Sequence, residues 1–144
     1  MLVHQILKSK AAEGVVTVGP DTSISEAAKI LGERGIGTVL VSEDGTTAQG
    51  ILSERDIVRE LAKSGSGCLS KPVSAYMTRN LITCTAQSNV ADVLKKMTDG
   101  HFRHMPVLDG ETLVGLISLG DVVKAQLQKL EMEKDALEGM IMGH

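Results

Sequence analysis

Two copies of one short pattern, in which a glycine, a serine and an aspartate follow one another at three-residue intervals, offer the most evident chemistry in this sequence. The copies are "GILSERD" and "GLISLGD", and their residues are Gly50, Ser53 and Asp56, and Gly115, Ser118 and Asp121. A serine hydroxyl and the unpaired N–H groups of a helix that begins there can hold a phosphate. An aspartate repels phosphate but accepts hydrogen bonds from a vicinal diol. A ribose 5′-phosphate carries both groups, so the pattern favours a nucleotide over a sugar or a metal ion.

The same pattern also has a purely structural interpretation. A serine just before a helix and an acidic residue three positions later form a capping box, in which each side chain accepts from the backbone N–H of the other residue. Gly50 and Gly115 let another group approach the backbone closely, but a glycine can equally begin a hairpin strand for structural reasons. Each copy, taken alone, leaves both interpretations open.

The repetition extends over most of the chain. When the two copies are aligned, "VTV" at 16–18 matches "ITC" at 82–84, and helices are predicted to begin near Ile24 and Val90. Helical spacing gives each helix one apolar face, and these faces are Ile24, Ala27, Ala28 and Leu31, and Val90, Val93, Leu94 and Met97. Both faces must be buried against another element.

Capping residues support these helix boundaries. "SISE" predicts an N-cap at Ser23 and "NVAD" predicts one at Asn89, each with an acidic residue in capping-box spacing. Gly35 and Gly100 are predicted to end the two helices, because glycine adopts the left-handed conformation of a helix C-terminus.

Each half is predicted to run strand, helix, strand, strand, helix. The middle strands are "TVLV" at 38–41 and "MPVL" at 105–108, with turns at "DG" 44–45 and 109–110 before the strands of the repeated pattern. Neither half is large enough to bury its own faces well, so we expect the two to pack with approximate two-fold symmetry. The prediction is an α+β fold with a first repeat over 1–64, a linker over 65–71, a second repeat over 72–127 and a helical tail over 128–144.

The doubled pattern, the "VTV" and "ITC" segments and the stretch "HFRHMPVLD" resemble a tandem pair of CBS domains, also called a Bateman module. The resemblance covers roughly residues 1–127. It implies two β-α-β-β-α repeats with two clefts between them, which in this family commonly hold AMP, ADP, ATP, NAD or S-adenosylmethionine. Such a module is a regulatory sensor and not an enzyme.

The resemblance also implies roles for individual residues. Asp56 and Asp121 would hold ribose hydroxyls, and Ser53 and Ser118 would contact phosphate. The first strand of each repeat would face the base, and the implied residues there are Thr17, Val18 and Thr83.

The stretches before the middle strands differ between the copies. The first offers Gly35, Ile36 and Gly37, and the second offers His101, Phe102, Arg103, His104 and Pro106. The second is a cationic cluster of the kind that family members use on phosphates, and its bland interpretation is a solvated basic loop. Arg55 also matches Gly120, so the two clefts are predicted to differ in affinity. Histidines in the cluster suggest that phosphate binding depends on pH near neutrality.

Composition narrows the functional classes. The 144 residues carry a net charge of −3 with one Tyr and one Phe, which argues against nucleic-acid binding. No apolar run is long enough to cross a membrane and no secretory signal is evident, so a cytoplasmic location is predicted. Cys68 and Cys84 are predicted to be free thiols, because no metal-ligand spacing surrounds them. No nucleophile-and-base arrangement or phosphate-transfer loop is found, so no catalytic residues are predicted.

The segment after Asp121 is rich in strong helix formers and predicts a long helix. Its apolar residues follow a 3–4 spacing interrupted by Lys134, and they are Val123, Leu127, Leu130, Leu137 and Ile141. This helix either packs back on its own domain or makes a dimer contact, and the family resemblance implies a homodimer. The functional prediction is a stand-alone sensor that passes nucleotide occupancy to an unknown regulated protein. The alternative is a ligand-free dimeric scaffold.

Overall fold

The computed structural model describes residues 1–10 and 15–142. Residues 11–14 of the predicted first repeat and the last two residues of the predicted tail lie outside this description. The helices are α1 (Val3–Ser9), α2 (Ile24–Arg34), α3 (Glu54–Ser64), α4 (Val90–Gly100) and α5 (Leu119–Ile141), and the strands are β1 (Thr17–Val18), β2 (Thr38–Val41), β3 (Gly50–Ser53), β4 (His104–Asp109) and β5 (Thr112–Ser118). The predicted mixed α+β class with a long C-terminal helix is confirmed.

The first half forms a three-stranded sheet in which β2 lies parallel to β1 and antiparallel to β3. All four residues of β2 are buried, and α2 covers the sheet with its predicted face. The core residues are Val18, Ile24, Ala27, Leu31, Val39, Val41, Leu52, Ile57, Val73 and Met77. The apolar periodicity of α2 therefore predicted its buried side.

The second half repeats this arrangement with one strand fewer. β4 and β5 form an antiparallel pair, and α4 buries Val90, Val93 and Met97 against them. The predicted strand at 82–84 is wrong, because only a single parallel bridge joins Cys84 to Val107. In the first half Leu40 donates its N–H to the carbonyl of Val16, whereas Pro106 at the matching place has no N–H to donate. Proline thus shortens the pairing of this strand.

Each core is completed by a segment that precedes the other half. Val3 and Ile6 of α1 lie in the second core, while Val73 and Met77 lie in the first. The predicted linker forms a 3-10 helix, Gly65–Ser70, with Cys68 buried. The predicted division at 64 and 71 stays a prediction, but the packing crosses it.

Both glycines of the repeated pattern lie where these segments cross a strand. A Cβ at Gly115 would fall 2.5 Å from a methyl group of Leu7, and a Cβ at Gly50 would fall 2.5 Å from the sulfur of Met77. Neither distance is tolerated, so the neighbouring side chain would have to move. The structural interpretation of these two glycines is therefore supported.

The predicted caps are present in altered form. Ser23 accepts from the N–H of Glu26, but Asn89 accepts from Ala91 and not from the predicted third position. Reciprocal boxes between serine and aspartate are found at the two copies of the repeated pattern instead. The strand after the turn, β3, begins at Gly50, as predicted.

One predicted helix end is wrong. Gly35 ends α2 in the left-handed conformation with φ 62°, as predicted, but Gly100 is still helical and His101 takes the left-handed position with φ 56°. Gly100 is needed for a different reason, because its Cβ would fall 2.5 Å from the ring of Phe102. Among the described residues His101 is the one non-glycine with positive φ.

The C-terminal helix α5 extends well past the second half. Val122 and Ala125 are its buried residues. The apolar side chains beyond them are exposed, and these are Leu127, Leu130, Met132, Leu137, Met140, Ile141 and Met142. Within this one chain the tail does not pack back on its own domain.

Replacing His101 by glycine should stabilise the fold by about 1 kcal/mol, because it removes the steric cost of a left-handed side-chain residue. Replacing Gly35 by alanine, at the matching helix end, should destabilise it by about the same amount. Urea denaturation of the two variants beside the wild type measures both changes. A loss of stability in His101→Gly would contradict this account of the helix end.

Candidate functional site

The first cleft lies between the start of α3 and the stretch that leads into β4. Its volume is about 470 Å³, within the usual range of small-molecule sites. The predicted site residues that line it are Gly37, Ser53, Arg55, Asp56, His101, Phe102, Arg103, His104 and Pro106. The pattern of the first half thus faces the divergent stretch of the second half.

In the second cleft the pattern of the second half faces the stretch before β2 of the first half. The volume of this cleft is about 570 Å³, and it lies between the start of α5 and the stretch that leads into β2. The predicted site residues that line it are Gly35, Ile36, Gly37, His104, Ser118 and Asp121. The two clefts are therefore built by the same rule, with each half supplying one wall of each.

A side-chain hydrogen bond joins the middle strands of the two halves where the clefts meet. Thr38 Oγ1 and His104 Nδ1 are 3.0 Å apart, and the two residues are separated by 66 positions in sequence. They occupy matching places in the two repeats, so the bond lies at the approximate two-fold axis. Both side chains line both clefts.

The serine and aspartate of each pattern form a capping box at the cleft floor. Asp56 Oδ2 accepts from the N–H of Ser53 at 2.9 Å, and Ser53 Oγ accepts from the N–H of Asp56 at 3.3 Å. The same two bonds between Ser118 and Asp121 are 2.9 and 3.1 Å long. A carboxylate accepts about four hydrogen bonds, so the cap leaves each aspartate with capacity to bind a diol.

The first cleft is rich in cationic side chains. Arg55 and Arg59 extend from α3, and Arg103 extends from the opposite wall. Their charges exceed those of the two acids in the lining, Glu54 and Asp56. This wall composition suits an anion such as a phosphate.

The sequence predicts His104 to be part of a cationic cluster, but the structure places it where the neutral imidazole is favoured. Burial lowers the pKa of this imidazole below its ordinary 6.5, and the nearby charges of Lys10 and Arg103 lower it further. His104 is thus a neutral hydrogen-bonding group at pH 7, paired with Thr38. The expected pH dependence of phosphate binding near neutrality stays a prediction, and His104 contributes its own charge change below pH 6.5.

A lysine that the sequence did not single out lies in the second cleft. Lys10 Nζ donates to Asp121 Oδ2 at 2.7 Å and to the carbonyl of Leu116 at 3.2 Å. Burial alone would raise the pKa of Asp121, but hydrogen bonds from Lys10 and Ser118 outweigh it and the pKa is lowered. Lys10 comes from α1, far away in sequence, so no local pattern pointed to it.

Three predicted base-contacting residues do not line either cleft. Thr17 and Thr83 are partly buried and Val18 is buried in the first core. The cleft walls are formed instead by the residues just before them, Val16 and Ile82. Successive side chains of a strand point to opposite faces, so the sequence could have suggested that Val16 and Ile82, and not the residues after them, face the clefts.

Comparison with known proteins agrees with the geometry. The family model for the CBS domain matches residues 7–63 and 73–128. The chain belongs to the CBS-domain family. A CBS-domain protein of Agrobacterium tumefaciens, ATU1752, is 43% identical in sequence and its crystal structure superimposes with a TM-score of 0.82, covering 88% of this chain and 99% of that one. A mitochondrial CBS-domain-containing protein of Arabidopsis thaliana, CBSX3, is 31% identical over 94% of this chain and 68% of its own.

One related structure contains ligands. The CBS-domain pair of protein MJ0100 was crystallised with 5′-methylthioadenosine and S-adenosylmethionine. It is 29% identical, has a TM-score of 0.77 and covers 90% of this chain and 98% of that one. That CBS-domain pair therefore binds ligands that carry an adenosine group.

Other classes of site find little support in the described ranges, 1–10 and 15–142. No cluster of three or more histidine, cysteine, aspartate or glutamate side chains within them could hold a metal ion. None of their helices is long and apolar enough to cross a membrane. Cys68 and Cys84 are both free and buried, which confirms the predicted free thiols, and burial raises the pKa of Cys84 to about 11.

The free energy of unfolding should decrease as the pH falls below about 6.5. Because the pKa of His104 is lowered in the folded chain, the unfolded chain takes up this proton first and is favoured by acid. His104→Asn, which keeps a partner for Thr38, should flatten the decrease, and His4→Asn at an exposed site should not. Urea denaturation at pH 7.5, 6.5 and 5.5 measures the free energy of unfolding of the wild type and both variants. An equal decrease in the wild type and in His104→Asn would show that another group causes the loss of stability in acid.

Proposed function

We propose that this protein is a non-catalytic regulatory module that binds adenine nucleotides, AMP, ADP, ATP or NAD, in its two clefts. The observation that carries the proposal is the pairing, in each cleft, of a serine and an aspartate at a helix start with a wall from the other half. The helix start and serine suit a phosphate, and the aspartate suits a ribose diol. The adenosine ligands of the related MJ0100 structure support the same chemistry.

The residue roles follow from these positions. Ser53 and Ser118 contact phosphate, and Asp56 and Asp121 hold ribose hydroxyls. Arg55, His101 and Arg103 neutralise phosphate charge in the first cleft. Groups that surround the base are Val16, Gly35, Ile36, Gly37, Ile82, Phe102 and Pro106, while Thr17, Val18 and Thr83 lie behind the cleft walls. His101 is held in a left-handed conformation at the mouth of the first cleft, and such strained residues are concentrated at functional sites.

Occupancy of a cleft must favour one arrangement of the two halves for the module to act as a switch. Thr38 and His104 line both clefts, so a ligand that alters their hydrogen bond in one cleft changes the wall of the other. A separate regulated protein in the cytoplasm then responds to the altered shape or assembly.

Replacing Asp56 by asparagine should weaken AMP binding in the first cleft at least about tenfold, the usual contribution of a hydrogen bond to a charged group. Asparagine still accepts from the N–H of Ser53, so the helix cap is retained. Asp92→Asn, at an exposed first-turn position of α4, is the matched control and should bind as wild type. Isothermal titration calorimetry measures the affinities, and mass spectrometry of denatured protein identifies any co-purified nucleotide.

Absence of heat with AMP, ADP, ATP, NAD and S-adenosylmethionine, together with no co-purified ligand, would contradict the sensor proposal. The repeated pattern would then serve as two helix caps alone. That outcome would favour the ligand-free dimeric scaffold.

We further propose that the protein is a homodimer in which the α5 tails pair antiparallel. The exposed stripe has regular 3–4 spacing with a lysine at one seam position, which is typical of a helix pair. Its seam residues are Val123, Leu127, Leu130, Lys134, Leu137 and Ile141. Apolar residues of the tail have no cover within one chain, and a second copy would bury them.

The seam lysine Lys134 favours the antiparallel orientation. A parallel pair in register would place Lys134 against Lys134 of the second copy and Glu133 beside its Glu138. An antiparallel pair centred between Leu130 and Lys134 would place these two opposite each other and Lys124 beside the second copy's Glu138. The antiparallel pair thereby separates the two seam lysines and adds opposite-charge contacts near its ends, while Glu131 and Glu133 of the two copies meet near its centre.

Replacing Leu130 by glutamate should convert the dimer to a monomer, because it places a charge in the seam. Met132→Glu is the matched control, since Met132 lies off the seam with 65% of its side chain exposed against 51% for Leu130. Sedimentation equilibrium gives the mass of each protein. A wild-type monomer, or equal dissociation of both variants, would contradict pairing through this stripe.

A further inference from the structure

The two pattern aspartates have cationic partners of different kinds. Asp56 Oδ1 accepts from Arg59 of the same helix at 3.3 Å, and the Arg59 side chain is 67% exposed. The Asp121 bond to Lys10 is 2.7 Å long, and each of its two side chains is only 25% exposed. An exposed pair is easily replaced by water, whereas a pair shielded from water is stronger. The carboxylate of the second cleft is therefore held more firmly than that of the first.

Packing fixes Lys10 in the second cleft. It directly follows α1, whose Val3 and Ile6 are buried in the second core. Leu7 lies over Gly115, one residue before the Leu116 carbonyl that also accepts from Lys10. In the first half Met77 takes the place of Leu7 over the matching glycine, and the residue three positions later is the uncharged Asn80, which lines the first cleft. The lysine is thus a feature of one cleft and not of the repeat.

We propose that Lys10 determines ligand selectivity in the second cleft by competing with a ribose diol for the carboxylate of Asp121. This inference rests on the proposed nucleotide-binding function. A nucleotide whose diol binds Asp121 has to share this carboxylate with Lys10, which already donates to its Oδ2 together with the N–H of Ser118, so it binds the first cleft before the second. A ligand without a vicinal diol makes no use of Asp121 and is not penalised. The protein therefore presents one nucleotide site of high affinity and a second that is filled only at higher concentration.

The test measures both sites of the wild type and then weakens the first cleft with Asp56→Asn and the second with Asp121→Asn. Calorimetric titration of AMP should give at least about tenfold weaker binding at the second cleft. Adding Lys10→Met to Asp56→Asn keeps the aliphatic side chain and frees Asp121, so AMP binding should tighten at least about tenfold. Lys8→Met, at an exposed position on α1, should leave the affinity of Asp56→Asn unchanged.

A second ligand distinguishes a specific effect of Lys10 on diol binding from a general change in the folded protein. Binding of 2′-deoxy-AMP, which lacks the vicinal diol, should change less than about twofold on Lys10→Met, well below the tenfold of one charge-assisted hydrogen bond. Lys10→Gln should reproduce the gain for AMP, and circular dichroism should show α1 retained in both variants.

The outcomes distinguish this inference from the function on which it rests. Weaker or unchanged AMP binding on Lys10→Met, with the first cleft still binding in Asp121→Asn, would overturn the role of Lys10 and leave the sensor proposal standing. An equal gain for AMP and 2′-deoxy-AMP would also overturn it. Failure of the wild type to bind at either cleft would overturn both proposals.

Discussion

Neither half of this protein can complete its core with its own consecutive residues. Val3 and Ile6 enter the second core from the start of the chain, and Val73 and Met77 enter the first from the segment between the repeats. Pulling the halves apart would expose these side chains to water, at a free-energy cost of about 1.5–3 kcal/mol for each fully buried one. The crossing segments also run along the pattern strands toward the clefts. The same constraint that joins the halves therefore places Lys10 and Ile82 in cleft walls.

The cap and ligand interpretations of the repeated pattern are compatible. Ser53 and Asp56 satisfy each other's backbone N–H groups, which fixes both side chains before any ligand arrives. A site whose polar groups are already ordered loses less conformational entropy on binding. The local hydrogen bonds that make a good helix start thus also prepare a carboxylate and a hydroxyl at the cleft floor.

Local patterns predicted the helices and most strands, because their periodicity reflects which side of an element is buried. The faces of α2 and α4 and the strand β2 were found in this way. Features that depend on distant contacts were missed. Pro106 shortens a strand pairing through a bond it cannot make with residue 82, and Lys10 reaches Asp121 through the packing of α1. The predicted linker likewise gave no indication that Cys68 would be buried.

The two clefts differ because matching positions of the two repeats carry different side chains. Thr38 and His104 occupy matching places, and their unlike side chains form a bond at the axis that two identical threonines would not form in the same way. Arg103 of the first cleft matches Gly37, and the second cleft takes its cationic charge from Lys10 and Arg34 instead. Because Thr38 and His104 belong to both walls, neither cleft can reshape this contact alone. A duplicated fold thereby gains two unequal clefts that share one hydrogen bond, and under the proposed function a ligand that alters this bond in one cleft changes the other.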